Sequence, residues 1–228
     1  MKDIYYIDLG KYTLDKFEHR LLSSKLLPGR RILLENIEAN FSILRELKIR
    51  DVKQLLDLLK NKDKIERVSN DTGIPSDYLT ILRREAGSFL PTLVTLEKII
   101  EPENTHYISI LGSVGIKNSK QLFECSFSKE KRFELSKNLA IPYPLITRWV
   151  ELCDLLRING VGPVFAFMLY EAGIRRVEQF LNEPISDLIE KAQKINSVKA
   201  YTKVKLSVKD IAYCIEYARE LDLVLEIN

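Results

Sequence analysis

The residues whose types and spacing could perform chemistry are Gly160, Val161 and Gly162, which stand immediately before Pro163. Glycine permits a tight turn and lets an anion approach the backbone without a Cβ in the way. Proline suits the first turn of a helix, where unpaired N–H groups and the helix dipole favour negative charge. The pattern therefore predicts a site for a phosphate group. A turn that only packs two helices closely needs the same glycines, so both interpretations stand.

Several cationic side chains in this half of the chain could add positive charge to such a site. The sequence predicts contacts to the phosphate from Arg157, Arg175, Arg176, Lys199, Lys203 and Lys205. No Asp or Glu occurs between Lys191 and Lys209, so this interval is locally basic. A solvated loop is the alternative interpretation of the lysines.

No set of residues in the sequence predicts catalysis or a metal site. His19 and His106 are isolated, without partners at the spacing of metal ligands. Phe165 stands where a dinucleotide-binding fingerprint needs glycine, and neither a nucleophile elbow nor a phosphate-binding P-loop occurs. We therefore expect no catalytic residues, no cofactor and no metal, and a protein that is not an enzyme.

The length, composition and net charge of the chain limit the classes of protein to which it can belong. The chain has 228 residues, 46% of them hydrophobic, which suffices for one compact domain or two small ones. A net charge of +3 does not identify a nucleic-acid binder, so any basic surface must be local. Three widely separated cysteines are typical of reduced thiols in the cytoplasm. We find neither a signal peptide nor a membrane-spanning run, and expect a cytoplasmic protein with no membrane partner.

A repeated pattern predicts the helices that position these residues. Steps of five, three and three residues connect Leu44, Ile49, Val52 and Leu55, then Leu111, Ile116, Ser119 and Leu122, then Leu169, Ile174, Val177 and Phe180. Each set predicts the end of one helix, a tight turn and a short helix that packs back. Gly115 and Gly173 stand where a left-handed residue closes a helix. Lys48 holds that position in the first set, which predicts a costlier or differently shaped turn.

The repeat extends further along the chain and indicates two domains. Ile74 and Ile141 each lie 25 residues after the isoleucine of their set, and each precedes a proline that suits a helix start. Ser207 is predicted to cap the corresponding helix of the third set. A domain boundary is predicted near residues 87–91, which separates residues 1–90 from residues 91–228.

Three segments favour β-strands. Residues 4–9 and residues 223–227 carry apolar and aromatic residues that suit strands, and we expect them to form a small β element that joins the termini. Val198, Tyr201 and Val204 alternate with polar residues, which predicts a short strand within the lysine-rich interval.

Residues 158–166, followed by Leu169 and residues 172–177, look like a helix-hairpin-helix motif: an apolar residue, Gly-hydrophobic-Gly, and Ala four residues after the second glycine. In such motifs the ligand is a DNA or RNA backbone phosphate, so this resemblance implies that the cations named above contact nucleic acid and that binding does not depend on base sequence. The chain as a whole resembles an uncharacterised, mainly bacterial family of helix-hairpin-helix-like repeat proteins, catalogued only as a domain of unknown function. Residues 27–33, residues 78–85 and the final hairpin carry this resemblance, which implies a mainly α fold of helix-hairpin-helix-like helical repeats.

Three functions follow from these observations. The first is non-catalytic binding of the DNA or RNA phosphate backbone through the hairpin and its neighbouring cations. The alternative is a protein–protein interaction adaptor in which the hairpins are purely architectural; Val164 favours it, because phosphate-binding hairpins often carry lysine there. A metal-dependent nuclease or hydrolase ranks third, because the sequence supplies no carboxylate or histidine cluster for the metal.

Overall fold

A computed structural model of the chain describes residues 3–23, 26 and 28–226, and the protein is mainly helical. The chain divides into two compact units. The N-terminal unit is Asp8–Leu90, and the C-terminal unit combines the segment that ends at Ile7 with the chain from Pro91 onward. The division after Leu90 falls where the sequence predicts a domain boundary, whereas the first residues group with the second unit.

The helices are mostly short. In the N-terminal unit they are α1 (Leu14–Ser23), a 3₁₀ helix (Pro28–Leu34), α2 (Ile37–Glu46), α3 (Val52–Leu58), α4 (Lys62–Thr72) and α5 (Ser76–Gly87). In the C-terminal unit they are two 3₁₀ turns (Leu96–Lys98 and Pro102–Asn104), α6 (His106–Ser113), α7 (Ser119–Ser126), α8 (Lys129–Leu139), α9 (Tyr143–Leu155), α10 (Pro163–Glu171), α11 (Val177–Asn182), α12 (Ile185–Lys199) and α13 (Val208–Ala218). No described helix is both long enough and apolar enough to cross a membrane.

The three sets of the sequence pattern adopt one local structure. The predicted helix-closing residues all have positive φ, 62° at Lys48, 85° at Gly115 and 89° at Gly173. After each of them the isoleucine N–H donates to the carbonyl five residues earlier, at 2.9–3.1 Å: Ile49 to Leu44, Ile116 to Leu111, and Ile174 to Leu169. This bond satisfies a carbonyl that the end of the helix leaves unpaired. The apolar spacing therefore reflects one recurring helix termination.

A glutamine recurs in the same three turns and is not part of the apolar pattern. The Oε1 atoms of Gln54, Gln121 and Gln179 each accept the backbone N–H four residues earlier, at 2.8–2.9 Å. Left-handed residues, Gly73, Ala140 and Ala200, then end α4, α8 and α12. Four-helix stretches thus follow one another as α2–α5, α6–α9 and α10–α13.

The predicted β element is absent from the described residues, where bridges outside the helices are limited to the isolated pairs Thr13–Asp51 and Thr95–Asn118. Residues 3–8 and 222–226 form bends and irregular chain instead. The carbonyls of Tyr5 and Asp222 both accept hydrogen bonds from Arg157, at 3.0 and 2.7 Å. A buried guanidinium therefore replaces the strand pairing that the sequence predicts. Leu27 and Ile227, which belong to the segments named above, lie outside the described residues.

The predicted strand around Val198 is also wrong. Helix α12 continues to Lys199, and Ala200 ends it with φ of 52°. The side chain of Asn196 then bonds to both backbone groups of Thr202, at 2.9 and 3.0 Å, and turns the chain toward α13. Val198 lies within α12, where helical hydrogen bonds use its backbone, and the Val204 N–H donates to Thr202 Oγ1 at 3.0 Å. Neither valine is therefore available for strand pairing.

Candidate functional site

The Gly160–Gly162 turn connects α9 to α10. Helix α9 ends at Leu155, and α10 begins at Pro163. The turn between them is closed by a 3.0 Å hydrogen bond from the Val161 N–H to the Ile158 carbonyl. Ile158 and Val161 are buried, at 0% and 6% exposure, and hold the turn against the core. Val161 therefore contributes an apolar anchor to the turn.

Gly160 is required by the structure of the turn itself. Its φ is 96°, a left-handed conformation that side chains other than glycine rarely adopt. A Cβ at this position would also lie 2.7 Å from Cys214 Sγ and 3.4 Å from the Tyr213 ring, both on α13. Burial there raises the pKa of the Cys214 thiol to about 12. Since α13 covers the face where the Cβ would project, a phosphate cannot approach Gly160 from that side.

Gly162 is under no such constraint. Its φ of −88° and ψ of 174° suit any residue, and a Cβ built there meets no atom within 4 Å. Gly162 is exposed and is the residue before α10, with no side chain to cap the helix. The first backbone bond of α10 runs from the Ala166 N–H to the Gly162 carbonyl, at 2.9 Å. The N–H groups of Val164 and Phe165 precede it and have no helical carbonyl to reach.

A groove of about 410 Å³ runs along the outer side of the turn. One wall is the turn from Asn159 to Pro163, and the other is the segment from Pro91 to Thr95. Lys98 lies in the lining and is exposed. Leu93, also in the lining, is 39% exposed, and Val164 beside Gly162 is 42% exposed. The groove therefore combines an uncapped helix end, one ammonium group and apolar surface.

Arg157 was predicted to contact phosphate, and its position corrects that prediction. The side chain is 0% exposed, and its Nη1 pairs with Asp154 Oδ1 at 2.5 Å. The other nitrogens bond to the Tyr5 and Asp222 carbonyls, and the guanidinium stacks 4.7 Å from the Phe123 ring centre. A guanidinium that is buried and bonded in this way cannot reach a ligand phosphate.

The remaining predicted cations lie away from the turn. Arg175 and Arg176 follow the far end of α10, whose nine residues span about 13 Å. Lys199, Lys203 and Lys205 are exposed in the segment that Tyr201 ties to the same far end, through a 2.7 Å hydrogen bond to Glu171. The structure thus does not gather these five side chains around Gly162. Lys98, distant in sequence, is the cation that the fold brings to the groove.

The described residues contain no group of three or more His, Cys, Asp and Glu side chains that could hold a metal ion. Sequence reasoning missed Lys98 and also Thr147 and Arg148, which line a second cavity with Arg175 and Arg176. Neither Lys98 nor Thr147 belongs to a motif. Only the repeat register, which aligns the helices of the three stretches, carries information on where such side chains meet.

The fold is that of a mainly helical protein built from recurring four-helix stretches. A family model for a domain of unknown function (DUF4332) matches residues 104–221, which is just over half of the chain. The chain belongs to this family. The searches of the curated proteins and of the solved structures found no match to this chain.

Proposed function

We propose that the C-terminal unit is a non-catalytic binder of the nucleic-acid phosphate backbone, with the Gly160–Gly162 turn acting as a helix-hairpin-helix motif. The observation that supports this most directly is the uncapped start of α10 at exposed Gly162, where no Cβ obstructs access. Free N–H groups and the helix dipole favour an anion at such a place. Lys98 adds a positive charge in the adjoining groove.

In this proposal the glycines have different roles. Gly160 and Val161 build the turn, and Gly162 presents the backbone to the phosphate. The contacts are to phosphate oxygens, so the binding is independent of base sequence and involves no chemical step. The three four-helix stretches are, in this proposal, helix-hairpin-helix-like repeats, of which the last carries the site.

A second candidate, a protein–protein interaction adaptor, is favoured by one specific observation. Leu93, in the groove lining, and Val164, two residues after Gly162, expose apolar surface, at 39% and 42%. A partner that buries these side chains gains from the hydrophobic effect, whereas a phosphate backbone does not. The two functions compete for the same groove, so one surface variant separates them.

The test is fluorescence anisotropy with labelled single-stranded and double-stranded DNA and RNA over a range of salt concentrations. Binding to backbone phosphates should weaken steeply as salt rises, because counterions are released on binding. Gly162→Asp should abolish binding, since a carboxylate would occupy the anion position and repel phosphate. The fold should persist, because aspartate is a favourable residue immediately before a helix.

Gly29→Asp is the matched control. Gly29 is exposed, lies in the N-terminal unit and has no atom within 4 Å of its Cβ position, so the charge change is the same. It should leave nucleic-acid binding unchanged.

Val164→Lys separates the two candidate functions, because it should strengthen nucleic-acid binding and weaken the binding of any protein partner. Absence of binding at low salt by the unmodified chain would contradict the proposal and leave the adaptor.

A further inference from the structure

A second cavity, of about 460 Å³, lies in the C-terminal unit at the far end of α10. Its size falls within the range typical of small-molecule sites. Helix α9, the turn between α10 and α11, and the last described residues form its walls. The side chains on which its chemistry depends are Arg132, Thr147, Arg148, Glu151, Arg175 and Arg176.

Two polar atoms in the wall of this cavity are buried without a hydrogen-bond partner. They are Thr147 Oγ1 and Arg176 Nη1, the only such side-chain atoms among the described residues. The nearest carboxylate oxygen of Glu178 is 3.8 Å from Arg176 Nη1, which is an ion-pair distance and too long for a hydrogen bond. Buried polar groups are normally bonded, so each exception calls for an explanation such as a missing ligand.

The remaining groups in the cavity wall are mainly cationic. Arg132 is 1% exposed and is held by the carbonyls of Ser126, Phe127 and Glu226, which places a fixed positive charge at the cavity. Arg175, also in the cavity lining, is exposed. Arg175 and Arg148 both lie against the Tyr170 ring, with guanidinium carbons 5.2 and 4.7 Å from its centre.

Carboxylates only partly offset this charge. Glu101 pairs with Arg148. The Glu226 carboxylate accepts the Lys129 N–H at 2.8 Å. Burial raises the pKa of the Glu151 carboxyl, and this outweighs the Tyr170 hydrogen bond and the charges of Arg175, Arg176 and Arg132, which lower it. Burial thus opposes ionisation of Glu151, the carboxyl that would compete with a bound anion for Arg175 and Arg176.

We propose that this cavity binds the phosphate group of a small organic phosphate, with Arg175 and Arg176 as the main ligands and Thr147 turning its hydroxyl toward a phosphate oxygen. Guanidinium groups match phosphate oxygens with paired N–H donors, and a threonine hydroxyl adds a neutral donor. Pro144, Val150 and Leu225 supply apolar wall for the organic part. The site is separate from the Gly160–Gly162 turn and does not depend on its proposed function.

The test uses the full chain at low ionic strength, with thermal unfolding and titration calorimetry. The probes are inorganic phosphate and phenyl phosphate, and citrate is the anion without phosphate. Both phosphates should raise the unfolding temperature of the protein, because a ligand that binds the folded state stabilises it. Tighter binding of phenyl phosphate than of inorganic phosphate would show that the apolar wall contributes. Citrate that binds as tightly as the phosphates would contradict a phosphate site.

Three variants locate the binding. Arg176→Gln and Thr147→Val should each lower affinity, the former about tenfold or more because it removes a charged hydrogen-bond donor. Thr147→Val should leave the unfolding temperature without ligand unchanged or higher, since the lost hydroxyl has no partner. Glu151→Gln should increase affinity, a gain that misfolding cannot produce.

Two further variants are controls. Arg84→Gln removes an exposed arginine of the N-terminal unit and should not alter phosphate binding. Gly162→Asp should also leave it intact, which separates this site from nucleic-acid binding at the turn. Failure of both phosphates to bind the unmodified chain would overturn the proposal. Unchanged affinity in both Arg176→Gln and Thr147→Val would overturn it as well.

Discussion

Gly160 and Gly162 are separated by one residue, yet the structure places different demands on them. Gly160 has positive φ and closely faces Cys214 on α13, so both its conformation and its lack of a side chain are needed. Gly162 has an ordinary extended conformation and open surroundings. Its position needs only a residue that can precede a helix, so structure alone does not account for glycine there.

We therefore expect Gly160→Ala to destabilise the C-terminal unit by about 2 kcal/mol, from backbone strain together with the contact to Cys214. Gly162→Ser should change stability by no more than a few tenths of a kcal/mol, because serine caps helices well. Urea unfolding followed by the fluorescence of Trp149, the single tryptophan, measures both. Equal destabilisation by the two substitutions would show that the turn needs both glycines for packing.

At the scale of elements, the three recurring turns differ in one informative position. Gly115 and Gly173 adopt the left-handed conformation at little cost, whereas Lys48 adopts φ of 62° with a full side chain. The turn at Lys48 keeps the same hydrogen bond from Ile49 to Leu44, at 3.1 Å. The sequence pattern predicted a costlier or differently shaped turn, and the shape is in fact retained. The cost should therefore be present as strain.

Lys48→Gly should stabilise the N-terminal unit by about 1 kcal/mol, because it removes the left-handed strain. Lys48→Ala is the matched control: it removes the same side chain, keeps a Cβ and should give no comparable gain. Urea unfolding monitored by circular dichroism compares the three proteins. A gain with alanine equal to that with glycine would mean that the lysine side chain, and not its backbone conformation, is unfavourable.

At the scale of the whole C-terminal unit, Arg157 and Asp154 connect parts that are far apart in sequence. Arg157 binds the carbonyls of Tyr5 and Asp222, while Asp154 Oδ2 accepts the Val177 N–H at 2.8 Å. The pair therefore joins both terminal segments and the start of α11 to α9. Buried charges of this kind must keep their partners, because a lone charge is poorly solvated in the interior.

Arg157→Met should destabilise the unit by about 3 kcal/mol or more, since Asp154 would remain buried without its partner. Backbone amides near Tyr5 should also exchange hydrogen faster, because the segment loses its anchor. Trp149 fluorescence in urea and hydrogen exchange measure the two effects, with Arg84→Met as a surface control. Little loss of stability would contradict a structural role and return Arg157 to the candidate ligands.

What the sequence determined by itself is local. The five, three, three spacing specified three helix ends, and the left-handed positions at Gly115 and Gly173 followed from residue type, because these features depend on hydrogen bonds over a few residues. The predicted strands failed, since pairing needs a partner segment that the pattern does not reveal. The tertiary structure decided which cations meet. In the folded chain Arg157 is buried, Arg175, Arg176 and the lysines lie at the far end of α10, and Lys98 lies at the turn. The sequence alone does not reveal this, because charges that are separated along the chain become neighbours only through packing.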